Sequence, residues 1–160
     1  MLTKQQLQLI NRNQLGYPLD IAEKDYHLAL AARLIGESQL GKILVLKGGT
    51  AIHHCYLPQY RFSEDLDFTS LDQDIDLQTV VTALESTGEF TVRKKYESPA
   101  TIKIERLRPI SIPYTNVWNI SAGIQTMQLP EITAEKIRAS ATRARYRDFY
   151  DLFLLLERAD

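Results

Sequence analysis

The sequence has a single cysteine, Cys55, so no disulfide can close within the chain, and a reducing cytoplasm is the expected compartment. It has no excess of either charge: 19 Lys and Arg stand against 20 Asp and Glu, a formal net charge of −1. That balance excludes a protein that coats nucleic acid over its whole surface, but not a local basic site. The opening residues MLTKQQLQLINRNQ hold no apolar core of signal-peptide length. The apolar run FLLL near the end is far too short to span a bilayer, so no membrane association is expected. Internal repeats and low-complexity segments are absent. So are the P-loop pattern G-x-x-x-x-G-K and the dinucleotide fingerprint G-x-G-x-x-G. What is present is an ordinary globular composition, 44% hydrophobic and 24% charged over 160 residues, which suits one domain with at most a small helical appendage.

Thr3 can cap a first helix running to about Asn13, which Gly16-Tyr17-Pro18 ends. A second helix is predicted over 19–37, with Ile21, Tyr26, Leu28, Leu30, Ala31 and Leu34 as its packing face. The run 43–46 reads as a buried strand stopped by Gly48 and Gly49, and a helix follows from Thr50 to near Pro58. In RFSEDLDFTS, Leu66 and Phe68 alternate with Asp65 and Asp67, which is a strand pattern. A third amphipathic helix is predicted over 72–86, strands over 90–96, 101–107 and 114–120, and two last helices over 131–142 and 147–158. The expected architecture is α+β, a mixed sheet flanked by helices from both ends of the chain. Residues 1–130 would form the core with its N-terminal helices, and residues 131–160 a helical unit packed on it.

The sharpest chemical signal is Gly48-Gly49-Thr50 followed by Asp65-Leu66-Asp67. Carboxylates at i and i+2 of a strand project to one face, where unpaired burial would be expensive. They can instead hold hard divalent cations such as Mg²⁺ or Mn²⁺, which take oxygen ligands and substrate phosphates. A Gly-Gly turn entering a helix exposes backbone N–H groups that favour a phosphate, and Thr50 adds a hydroxyl. Alone, a D-x-D pair is usually a solvated strand face and a Gly-Gly only a turn. The combined order is far more specific.

The stretch LKGGTAIHHCY with RFSEDLDF resembles the AbiEii/AbiGii toxin family of nucleotidyltransferases, part of the DNA polymerase β-like superfamily. Ala134-Glu135-Lys136-Ile137-Arg138-Ala139 resembles the family's lysine motif, and Arg147-Asp148-Phe149-Tyr150-Asp151-Leu152 its R-D-x-x-D-L motif. Glu23-Lys24-Asp25-Tyr26 is similar to a recurring N-terminal patch. The resemblance implies a polymerase β-like nucleotidyltransferase core that moves NMP from an NTP to an acceptor, with tRNA or another RNA as the suggested acceptor. It further implies the toxin half of a type IV toxin–antitoxin or phage-abortive-infection system, with a cognate antitoxin as partner. On the same footing, Asp65, Asp67, Lys136 and Asp148 form the catalytic set. Gly48, Gly49, Thr50 and Ser63 bind the nucleotide along with Lys136, and Asp65 and Asp67 ligate Mg²⁺. Glu105 is the best candidate for a third metal carboxylate, although a surface Glu between basic residues reads equally well. Lys47 either approaches a phosphate or marks the strand end. Two other readings stay open: a nucleotide- or antitoxin-binding module without catalysis, and a phosphotransferase attacking the γ-phosphate.

Charge is segregated along the chain. Residues 61–76 hold six acids against one base, and residues 136–147 hold five bases (Lys136, Arg138, Arg143, Arg145, Arg147) and no acid. The basic run reads either as a solvated helix face or as a phosphate clamp, the latter favoured by its place within two motifs. His53-His54-Cys55 reads as packing rather than a metal site, because adjacent residues on a helix point about 100° apart. Tyr146, Phe149, Tyr150, Phe153 and Leu154 read as core, and Trp118 has no legible role. Ser63 and Thr50 lack the His–Asp partners of serine hydrolases.

Overall fold

Thr3 begins the first helix as its sequence suggests. Its hydroxyl accepts the Gln6 amide while Gln6 Oε1 accepts the Thr3 amide, satisfying two orphan donors reciprocally. The computed structural model describes residues 1–57, 61–72, 74–88, 107–143 and 145–157. Helix α1, Lys4–Ile10, widens into a π-helical turn, Asn11–Leu15. Helix α2 then runs Leu19–Glu37, as the sequence predicts. Its buried positions are Ala22, Asp25, Tyr26, Ala29, Ala32 and Ile35, whereas the bulkier Leu28, Leu30 and Leu34 are half-buried. The small side chains face inward because α2 lies directly against a central strand, where alanines allow close approach.

Strand β1, Leu44–Lys47, leads without a linker into helix α3, Gly48–Ala51, which continues as a π-helical turn, Ile52–Tyr56. Strand β2 is Asp67–Ser70, helix α4 is Leu77–Glu85, and strands β3 and β4 are Ile110–Pro113 and Gly123–Thr126. The chain closes with helices α5, Leu129–Arg143, and α6, Tyr146–Glu157. The sheet order is β2-β1-β4-β3, with β1 antiparallel to β2, β1 parallel to β4, and β3 antiparallel to β4. The predicted α+β class with a mixed, helix-flanked sheet is therefore correct. Its core gathers Val45, Leu46, Ile52, Ile124, Met127 and Ile132 between the helices. No helix among the described residues is long and apolar enough to cross a membrane.

Several local expectations change. The strand predicted over 114–120 is a loop between β3 and β4. Asn116 organises it, accepting the Trp118 and Ile120 amides and donating to the Tyr114 and Ile120 carbonyls, so its backbone groups are satisfied without a ladder. Helix α4 is shorter than 72–86 because Asp76 is its cap, accepting the Thr79 amide at 2.6 Å, and Asp72 closes a turn on the Asp74 amide. The strand predicted over 90–96 lies outside the described residues, as does the one predicted over 101–107 apart from Leu107, which is not in a strand; Glu105 also lies outside them.

Helix α6 is inverted relative to its hydropathy. Tyr146, Phe149 and Phe153, read as core, are 94%, 51% and 55% exposed, while Asp148 and Asp151 are fully buried. The spacing Asp148, Asp151, Leu155 defines one helical face, and that face turns inward because cations from other elements meet both carboxylates there.

Candidate active site

The glycine turn and the acidic strand are brought together by register. Antiparallel pairing of β1 with β2 sets Lys47 opposite Asp67, directly before Gly48. Gly48 has φ +74, a left-handed conformation that side chains disfavour, and a Cβ there would lie 2.7 Å from Asp67 Oδ2. The missing side chain is thus the space in which the Asp67 carboxylate sits. Asp65 precedes β2 rather than lying in it, which corrects the expectation that both carboxylates share a strand. The alternation of exposure survives nonetheless: Asp65 and Asp67 are exposed, and Leu66 and Phe68 are half-buried.

On the inner side of the turn, Thr50 Oγ1 donates to the Asp65 carbonyl and lies 2.7 Å from Ser63 Oγ. A hydroxyl has one proton, so with the Thr50 proton on that carbonyl, the Ser63 proton bridges the pair. Both residues are buried, and their contacts brace the segment that carries Asp65. Gly49 is needed for a different reason. A Cβ there would come within 2.5 Å of Arg61 Nη2, and that guanidinium is held in place.

What holds Arg61 is an ion network under the turn. Arg61 Nε and Nη2 donate to Asp151 Oδ1 at 2.8 and 2.6 Å, and Nη2 also reaches Oδ2 at 2.6 Å. Lys136 Nζ lies 2.6 Å from Asp151 Oδ2 and 3.1 Å from Asp148 Oδ1. Arg143 Nε donates to Asp148 Oδ2 at 2.9 Å and Nη2 to Oδ1 at 3.1 Å. Burial pushes the Asp148 carboxyl up, but the hydrogen bonds from Arg143 and Lys136 outweigh it and hold the group below the usual carboxylate range. Lys136 and Arg143 are committed to carboxylates, whereas Arg138, Arg145 and Arg147 are exposed.

Between these halves lies a cleft of about 270 Å³, lined by Lys47, Gly48 and Asp67 on one side and by Glu135, Lys136, Arg138 and Arg143 of α5 on the other. Lys47 Nζ is 3.1 Å from Glu135 Oε1 across it. Of the residues singled out from the sequence, the cleft collects Lys47, Gly48, Asp67, Lys136, Arg138 and Arg143, while Asp65 and Gly49 are not in its lining. Asp148 lies behind Lys136, and Thr50 and Ser63 lie on the buried side of the turn. Sequence reasoning missed Arg61 and Asp151 as a pair, although both fall within the quoted motifs; an Arg and an Asp in separate motifs were the available signal.

An alanine at position 48 separates backbone strain from carboxylate placement. Gly48→Ala and Gly88→Ala both force a left-handed alanine, costing about 1–2 kcal/mol each, which urea unfolding reads. Only Gly48→Ala displaces Asp67, since nothing lies within 4 Å of a Cβ at Gly88. Mg²⁺-dependent nucleotide binding should therefore fall in Gly48→Ala alone. Equal losses in both variants would refute the role given to Asp67.

A four-stranded mixed sheet with a glycine turn, a facing carboxylate and a lysine-bearing helix pair is consistent with a nucleotidyltransferase fold. The sequence profile of the nucleotidyl transferase AbiEii toxins of type IV toxin–antitoxin systems matches residues 29–117 and 95–160, and the chain belongs to that family. No curated protein and no solved structure matches it.

Proposed function

We propose that the chain is a divalent-metal-dependent nucleotidyltransferase that moves NMP from an NTP to an RNA acceptor and serves as a toxin held by a cognate antitoxin. Family membership supports the reaction class and the two-component setting. The observation that carries the site is the cleft that sets Asp67 and the Gly48 turn opposite Lys136 and Arg138. Asp67 fits a hard cation: its carboxylate is exposed, and Oδ2 occupies the cradle that a side chain at 48 would fill. Asp67 and Asp65 would hold Mg²⁺ or Mn²⁺, and such an ion supplies charge stabilisation at phosphoryl oxygens and a more acidic acceptor hydroxyl.

The chain's own groups do the rest. The first amides of the helix begun at Gly48 have no helical partner and suit a phosphate. Lys136, anchored by two carboxylates, places one ammonium at the floor of the cleft, and Arg138 stands at its exposed edge. Lys47 exchanges Glu135 for a phosphate oxygen when nucleotide enters. In this reading residues 131–160 act as the phosphate-holding unit of a core formed by residues 1–130.

The test is incubation with each NTP, labelled at the α- or the γ-phosphate, with Mg²⁺ and total RNA. Transfer of the α label to RNA with release of pyrophosphate is the expected result. Transfer of the γ label would make the protein a phosphotransferase, and binding without transfer of either label would make it a nucleotide-binding module.

A further inference from the structure

A second cluster lies away from the cleft, on the other end of the helix that leaves the glycine turn. Asp25 of α2 and His54 of the π-helical turn are both buried, their side chains 4% exposed. Trp118 Nε1 donates to Asp25 Oδ2 at 2.8 Å, which gives that tryptophan its role. The other oxygen, Oδ1, faces His54 Nε2 at 3.4 Å, and neither atom has a hydrogen-bond partner. His54 Nδ1 is 2.7 Å from the Thr115 carbonyl, an acceptor only, so Nδ1 carries the proton. In the neutral ring, Nε2 then points a lone pair at a carboxylate oxygen. Two acceptors facing each other in a dry site repel, so a cation belongs between them.

The separation indicates which cation. A charge-assisted hydrogen bond from an imidazolium would be about 2.7–2.9 Å, shorter than the 3.4 Å observed. Two ligands of a tetrahedral zinc ion, each about 2.0–2.1 Å from the metal, are about 3.3–3.4 Å apart. A third donor is at hand. One ligand atom each from Asp25, His53 and His54 lie within 4.8 Å of one another. The two histidine rings meet edge to face with centroids 4.4 Å apart. The π-helical winding of Ile52–Tyr56 sets His53 and His54 side by side, and Asp25 arrives from another helix, a grouping that a reading of the His53-His54-Cys55 run alone does not contain. His53 is half-buried beside the pair. Cys55 is not part of that group.

We propose that Asp25, His53 and His54 form a three-ligand zinc site that ties α2 to the helix following the glycine turn, distinct from the Asp65–Asp67 carboxylates. The surroundings have the outer contacts such sites use. The Thr115 carbonyl fixes the His54 tautomer, and the Trp118 indole orients Asp25. Tyr114 stacks on His54 at 4.2 Å, and its buried hydroxyl is a further unpartnered oxygen beside the pair.

The test uses the untagged full chain, stripped with chelator and titrated calorimetrically with Zn²⁺ in excess Mg²⁺, which keeps the exposed carboxylates occupied. One Zn²⁺ per chain is expected, with a raised Tm, and Co²⁺ should give the intense visible bands of tetrahedral coordination. Asp25→Asn and His54→Gln should abolish both signals, and Trp118→Phe should weaken Zn²⁺ about 10- to 100-fold. If either buried variant fails to fold, as judged by circular dichroism, half-buried His53→Gln carries the same expectation. Absence of stoichiometric Zn²⁺ in the wild type would overturn the site, as would weak octahedral Co²⁺ bands or unchanged affinity in folded variants.

Discussion

Asp67→Asn is expected to abolish transfer of the α label while leaving the unfolding midpoint in urea unchanged. The substitution keeps the shape of the side chain beside Gly48, and Asp67 is exposed, so little packing is lost. What disappears is the negative charge that a hard cation needs. Charge stabilisation by a bound metal is worth several kcal/mol, and a loss of about 4 kcal/mol slows the step roughly 10³-fold. Asp65→Asn should behave alike, with one difference. The structural contact of Asp65 runs through its carbonyl to Thr50, so its side chain can change without disturbing the turn. Comparable transfer by both variants would remove the two carboxylates from the reaction. A wild-type rate independent of added Mg²⁺ or Mn²⁺ would do the same.

Contacts that are local in the chain were legible from the sequence. The Thr3 cap, the limits of α2 and the halt at Gly48 all follow from neighbours within a few residues. The glycine turn and the S-E-D-L-D segment were equally legible, because the chemistry they suit depends on side-chain type at fixed spacing. The start of β2 was not. Alternating hydropathy extends to Asp65, but the ladder begins at Asp67, where β1 offers its last partner, Lys47. The interior of α6 was misread for a related reason. Aspartates are normally assigned to the surface, and only partners distant in the chain can reverse that. Arg61 is 90 residues from Asp151, and Lys136 is 12 from Asp148 on another helix. The resemblance nevertheless pointed to Lys136 and Asp148 together, and they do meet at 3.1 Å.

Asp151→Asn is expected to cost about 3–5 kcal/mol of folding stability, the usual result of removing one partner from a buried ion pair. For a chain of this size that corresponds to a Tm lowered by about 6–20 °C. The asymmetry of the network makes the prediction specific. Lys136, Arg61 and Arg143 supply three cations, and Asp148 and Asp151 supply two carboxylates. Removing Asp151 leaves three cations on one carboxylate. Arg61 then has no anion, beside a Gly49 position that depends on where its guanidinium lies. Removing Lys136 instead leaves two cations on two carboxylates, with Asp148 still held by Arg143 and Asp151 still held by Arg61. Lys136→Met should therefore unfold at a urea concentration close to wild type, since its methylene stem is replaced by an apolar side chain of similar length. Its loss should appear in nucleotide transfer, by about 10²–10³-fold if the ammonium faces phosphate in the transition state. The pair of variants thus divides stability from chemistry within one network. If Lys136→Met proved the less stable of the two, Asp151 would not be the residue that joins α6 to the glycine turn.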